Sequence, residues 1–140
     1  MVVAGDEGLS PAARNPFGHI DLRVASMAEA LPFYEAFLPA LGLTQRYDSP
    51  EWKVFANTEP PPSSAYIGIT ESAGHAPNEN RIAFWAADPA EIDRLASVVA
   101  AAGARDVSGP KPMPYGPGYY AVYFADPGGN RFEVYHRPPV

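Results

Sequence analysis

No cysteine occurs among the 140 residues of the chain. A disulfide framework, a thiolate metal centre and a cysteine nucleophile are therefore excluded. Positive charge is also scarce: ten Lys and Arg stand against sixteen Asp and Glu, for a net charge of −6, and the ten are scattered singly. A nucleic-acid groove needs clustered cations to replace the phosphate counterions, so no nucleic-acid partner is expected. No apolar run approaches the roughly 18 residues that cross a bilayer. Met1 to Pro16 has neither the basic start nor the apolar stretch of a secretion signal. The expectation is a cytoplasmic chain with no membrane partner. A Ser/His/Asp triad lacks its Gly-x-Ser-x-Gly elbow, and no helix follows Gly128-Gly129 to make it a phosphate loop.

Turn chemistry is abundant. Seventeen Pro and twelve Gly predict many short elements joined by defined turns. Residues 1–16 are small, polar and aperiodic, and read as a loose tail before a single domain over 17–140. Phe17 to Val24 alternates as a strand, with Ile20, Leu22 and Val24 on one face and His19, Asp21 and Arg23 on the other. Ser26 and Glu29 form a capping box for a helix whose apolar positions are Met27, Leu31, Tyr34, Leu38 and Leu41. Gly42 is its stop, and Pro32 and Pro39 leave its end open. Leu43–Tyr47, Trp52–Ala56 and Ala65–Thr70 read as strands.

A second series follows. Arg81–Ala87 is a strand, and Asp88-Pro89-Ala90-Glu91 opens a helix striped by Ile92, Leu95, Val98, Val99 and Ala102, with Gly103 as its stop. A short strand near Arg105–Val107 leads into a Gly/Pro loop, Ser108–Gly118. Tyr119–Phe124 and Arg131–His136 then form a hairpin around Asp126-Pro127-Gly128-Gly129-Asn130. The two series can be laid over each other. His19, Leu41 and Tyr66 match Arg81, Ala102 and Arg131 at offsets of 62, 61 and 65 residues. A β-α-β-β-β unit repeated once, over 17–71 and 80–137, accounts for this. The fold class is α+β, with two such modules forming a cupped mixed sheet and helices on its outside.

Chemistry belongs at the matched positions on the cup face: His19, Gly68, Arg81 and Glu133. Imidazole and carboxylate suit a divalent metal such as Zn, Ni, Mn or Fe(II), whereas Arg81 and Gly68 cannot ligate one. Trp85, Tyr66 and Tyr135 share that face, where they either stack on a planar substrate or fill the core. Tyr119, with Tyr115, borders it in a segment that is either a lid with a hydrogen-bonding phenol or a surface connection. His136 falls on the opposite face and reads as a surface residue.

The GHIDL, RIAF and DPGGNRFEV segments, within the paired module, resemble the vicinal oxygen chelate superfamily. That superfamily includes the glyoxalase I, extradiol dioxygenase and bleomycin-resistance families. The resemblance spans Phe17 to Arg137 and rests most on DPGGNRFEV, similar to the Asp-Pro-x-Gly-Asn-x-x-Glu of the superfamily. It implies metal ligands at His19 and Glu133, and a homodimer that binds a small molecule. It also asks for a Glu where Gly68 stands and a His where Arg81 stands, so the usual ligand set is incomplete.

Three readings stay open. A metal is held by His19, Glu133 and a third ligand, His75; the protein is then a glyoxalase- or dioxygenase-type enzyme, with catalytic Glu133 and Arg81, acting as a lyase, isomerase or dioxygenase. Alternatively, Arg81 takes the metal's place beside Glu133, and the cup sequesters a small aromatic, drug-like or anionic compound with no metal, gripped by Arg81, Arg131 or Arg23. In the third, these residues only satisfy each other and the cup has no function.

Overall fold

The computed structural model describes residues 10–139. The first nine residues of the expected tail lie outside that range, and 10–18 hold a single turn before the first strand. The order of elements is β1 (His19–Val24), α1 (Met27–Ala40), β2 (Gln45–Asp48), β3 (Lys53–Ala56), β4 (Tyr66–Glu71), β5 (Arg81–Trp85), α2 (Pro89–Ala101), β6 (Arg105–Pro112), β7 (Tyr120–Ala125) and β8 (Arg131–His136). They form two four-stranded mixed sheets of matching topology, β1-β4-β3-β2 and β5-β8-β7-β6. The class is α+β, as the duplicated sequence pattern implies.

The duplication extends to the helix ends. Ser26 and Asp88 each cap a first turn by accepting from the backbone N–H of the Glu three residues on, at 3.2 and 2.9 Å. Gly42 and Gly103 follow the two helices at φ 108° and 97°. Beyond them Leu43 and Ala104 donate back to the carbonyls of Leu38 and Val99. Only glycine adopts that left-handed turn cheaply, which is why both helices stop there. Helix α1 continues through Pro32 and Pro39. Each proline removes a backbone donor, and burial of Phe33, Tyr34, Phe37 and Leu38 holds the helix together. Its buried side is therefore wider than the five-residue stripe, and Phe33 and Phe37 are its centre.

Strand β6 runs to Pro112, well past the expected Val107. Between Arg105 and Ser108, and again between Ser108 and Lys111, three steps on β6 face two on β7. Two bulges thus accommodate Asp106 and, where the sequence reads as a loop, Gly109 and Pro110 inside one strand.

Both units share one core. Phe37 of α1 lies 5.9, 5.2 and 5.8 Å from Phe84, Phe124 and Phe132 of the second sheet, ring centre to ring centre. Burying each such ring contributes about 2–3 kcal/mol. The closing turn is tied into the first unit as well. Buried Asp126 accepts from the Tyr34 hydroxyl and from the N–H groups of Gly128, Gly129 and Asn130. The Asn130 amide donates to Asp126 and to the carbonyl of Arg23 on β1. Among the described residues no helix is long and apolar enough to cross a membrane.

Candidate functional site

The helices cover one side of each sheet, so alternate side chains project from the other. On the second sheet these are Arg81, Ala83 and Trp85 of β5, Arg131, Glu133 and Tyr135 of β8, and Ala121, Tyr123 and Ala125 of β7, in mutual register. Glu133 stands at the centre of this face, the Glu133 basin, with buried Ala121 and Ala125 to one side of it. Glu133 itself is only 8% exposed. Tyr119, one residue before β7, donates its hydroxyl to Glu133 Oε2 at 2.5 Å. Arg81 is in register with Arg131 and reaches Glu133 diagonally, Nη1 to Oε1 4.0 Å. Its guanidinium also lies over the Tyr123 ring, 4.9 Å from the centroid.

The tyrosines form a connected wall. Tyr119 and Tyr135 stack at 5.2 Å, Tyr115 meets Tyr119 edge-on at 5.3 Å, and Arg137 lies 5.6 Å above Tyr135. Trp85, in register with Tyr135, is 70% exposed at the outer end. Burial pushes the Tyr119 phenol well above its ordinary pKa, and its hydrogen bond to Glu133 adds to this. The Tyr123 phenol is raised too, by burial and then by the charge of Glu133. Both remain protonated donors at neutral pH. The Tyr123 hydroxyl is buried with Tyr115 and Glu133 as its polar neighbours, and makes no well-aligned hydrogen bond to either.

On the first sheet the corresponding face is differently furnished. His19 stacks on Tyr66, 4.5 Å apart and within 3° of parallel, and its Nε2 is 3.5 Å from Asp21 Oδ2. Trp52 meets Tyr66 edge-on at 5.9 Å and covers Gly68. A Cβ at position 68 would lie 2.8 Å from Trp52 Cε2, so the indole occupies the space a glutamate there would need.

The expected metal donors are thus committed elsewhere. His19 is on the first sheet with Tyr66 and Asp21, while Glu133 is on the second with Tyr119 and Arg81. His75 Nε2 sits 2.9 Å from Asn130 Oδ1. The Asn130 amide nitrogen is already donating, so its oxygen faces the ring and the His75 nitrogen carries a proton there. Among the described residues no three His, Cys, Asp or Glu side chains converge on a metal-sized space. Within one chain, the donor set does not fit a divalent metal.

Of the substrate-facing candidates, Arg81, Tyr119, Tyr135 and Trp85 share the Glu133 basin, and Tyr66 lies on the other sheet with His19. Tyr123 and Trp52 were not singled out by sequence. Counting by twos from Tyr119 along β7 finds Tyr123, and a glycine in mid-strand signals a bulky neighbour such as Trp52. His136 is half-buried, with Nδ1 3.1 Å from the Ala86 carbonyl. A separate cavity of about 330 Å³ opens at the seam between β1 and the second sheet, lined among others by Ile20, Arg23, His75, Asn80, Ile82 and Arg131.

The profile of the Glyoxalase/Bleomycin resistance protein/Dioxygenase superfamily matches residues 17–134. No curated protein matches the chain. Among solved structures, a glyoxalase/bleomycin resistance protein from Albidiferax ferrireducens T118 is similar at 24% identity and TM-score 0.70, over 89% of this chain and all of that one. The fosfomycin resistance protein FosX from Mesorhizobium loti is similar at 19% identity and TM-score 0.65, over 89% of this chain and 94% of that one. A glyoxalase/bleomycin resistance protein/dioxygenase family enzyme from Burkholderia phytofirmans PsJN is similar at 16% identity and TM-score 0.66, over 85% and 96%.

Proposed function

The chain belongs to the glyoxalase/bleomycin resistance protein/dioxygenase superfamily, and from that premise we propose that it captures a small planar molecule in the Glu133 basin without a metal. One observation carries the reading: Trp85, Tyr119, Tyr123 and Tyr135 gather with Arg81 around buried Glu133 on one sheet face. Trp85 and Tyr135 supply stacking surface, Tyr119 orients the Glu133 carboxylate, and Arg81 supplies positive charge beside it.

This reading is sequestration of the bleomycin-resistance kind. The metal-dependent alternative, a lyase, isomerase or dioxygenase using His19, Glu133 and His75, needs three donors to converge, and in one chain each is engaged with a different partner.

The proposal includes a homodimer. Tyr47 and Trp52 on the first sheet and Trp85 and Tyr115 by the second are 61, 37, 70 and 64% exposed. A second copy laid across these faces covers aromatic surface that a lone chain leaves in water, and it closes the open basin.

The test is titration with a panel of planar aromatic compounds, read by calorimetry and by tryptophan fluorescence, with and without chelator. Binding that survives the chelator and weakens by about tenfold or more in Trp85→Ala supports the proposal. Binding that vanishes with chelator and returns with Zn, Ni, Mn or Fe(II) sinks it in favour of the metal reading.

A further inference from the structure

Resting on that reading of the basin, we infer that its ligand is an aromatic molecule carrying an oxyanion, bound with the anion toward the Arg81–Arg131 pair and the ring toward Trp85 and Tyr135. The charge distribution supports this. The chain as a whole carries −6. On the projecting face of β5, β7 and β8, however, Arg81 and Arg131 stand against Glu133 alone. Glu133 is buried and already accepts from Tyr119. The accessible charge that a ligand meets is therefore positive. A cationic ligand would have to displace Arg81 from both Glu133 and the Tyr123 ring, whereas an anion joins the arginines in place.

Arg131 is the more available of the two. Arg81 divides its guanidinium between Glu133 at 4.0 Å and Tyr123 at 4.9 Å. Arg131 is exposed, and no carboxylate among the described residues lies within 4.0 Å of it. It also borders the seam cavity, where Arg23, Asn78, Asn80 and one carboxylate, Asp21, line the wall. An arginine fork is shaped for two oxygens of one oxyanion, and amide donors beside it favour the same group.

The register sets the ligand's polarity along the strands. Arg81 and Arg131 are partners at one end of the parallel β5–β8 pair, and Trp85 and Tyr135 at the other. Four residues at about 3.3 Å each separate the ends by about 13 Å of backbone. Glu133 lies midway, and Arg81 leans toward it, which shortens the gap between the guanidinium and the rings. A rigid two-ring acid spans this.

The experiment compares four probes on the full chain with chelator present: 2-naphthoate, 2-naphthalenesulfonate, neutral 2-naphthamide and 2-naphthylmethylammonium. Affinity is read by calorimetry and Trp85 involvement by fluorescence. Naphthoate is expected to bind at least about tenfold tighter than naphthamide, with the ammonium weakest. Arg131→Gln should bring naphthoate and naphthamide to within about twofold, Arg131→Lys should restore part of the preference, and Arg131→Glu should favour the ammonium. Sulfonate binding like naphthoate shows that oxyanions in general are read, and preference for naphthoate narrows the class to carboxylates; both support the inference. Equal binding of naphthoate and naphthamide in the unmodified protein overturns the inference and leaves the aromatic basin standing. If none of the four binds, the basin reading falls and takes this inference with it.

Discussion

Trp52 and Gly68 share one space. The indole lies where a side chain at 68 would project, with Cε2 2.8 Å from a Cβ built there. The glutamate that the superfamily resemblance asks for at that position is thus replaced by a neighbour's ring. Gly68→Ala should destabilise the fold by about 1–3 kcal/mol, because the indole must rotate away from a packed neighbour. In a Trp52→Ala background the same change should cost well under half as much. Thermal or denaturant unfolding of the four-member cycle checks it; additive effects would show that the two side chains do not compete.

The Asp126 turn should matter for stability and not for ligand binding. Tyr34 is fully buried, and its hydroxyl donates to the equally buried Asp126. Tyr34→Phe removes one donor to a charged acceptor and should cost about 1.5–3 kcal/mol. Asp126→Ala removes the acceptor of that hydroxyl and of the Gly128 and Asn130 N–H groups together, leaving Gly129 its bond to the residue-126 carbonyl, and should cost more. Chemical denaturation gives both values. Unchanged affinity for aromatic probes in Tyr34→Phe would separate the turn from the basin.

Much of this was legible in the sequence, because the signals were local. Caps, glycine stops and alternating strands repeat in two series, and a duplicated pattern leaves little freedom in topology. The projecting positions of Arg81, Trp85, Glu133 and Tyr135 follow from alternation alone. What was not legible depends on contacts across strands. Trp52 folds over Gly68 from the turn before β3, Asn130 claims His75 from 55 residues away, and Tyr119 lies between loop and strand until its hydroxyl reaches Glu133. Strand β6 extends beyond what its sequence suggests because Gly109-Pro110 breaks a regular strand but fits a bulged one. His19, His75 and Glu133 each meet a partner that sequence spacing does not encode.

Alkaline pH should destabilise the protein through its phenols. Burial raises Tyr34, Tyr119 and Tyr123 above the ordinary tyrosine value, about 10. A raised folded-state value means that the native state holds these protons more tightly than the unfolded chain. The stabilisation is fully present below about pH 10 and is lost as pH rises beyond it. Phenolate absorbance should therefore show these three tyrosines silent in the range where exposed ones titrate, then ionising together with unfolding. Free titration of all eight tyrosines with an ordinary midpoint and no loss of structure would contradict the buried phenols.

Self-association should depend on a residue outside the Glu133 basin. Tyr47 projects from β2 and is 61% exposed. A stable interface buries about 800 Å² on each partner, and like charges set into its centre oppose it. Sedimentation velocity across the micromolar range should show a dimer for the unmodified chain and a shift toward monomer in Tyr47→Glu, at unchanged thermal stability of the separated chain. A monomer at every concentration would leave the exposed aromatic faces without a second copy. The basin would then be an open surface, and its affinity for planar ligands should be the same in Tyr47→Glu as in the unmodified protein. If the dimer forms and closes the basin, that affinity should instead fall in Tyr47→Glu, although Tyr47 belongs to the other sheet.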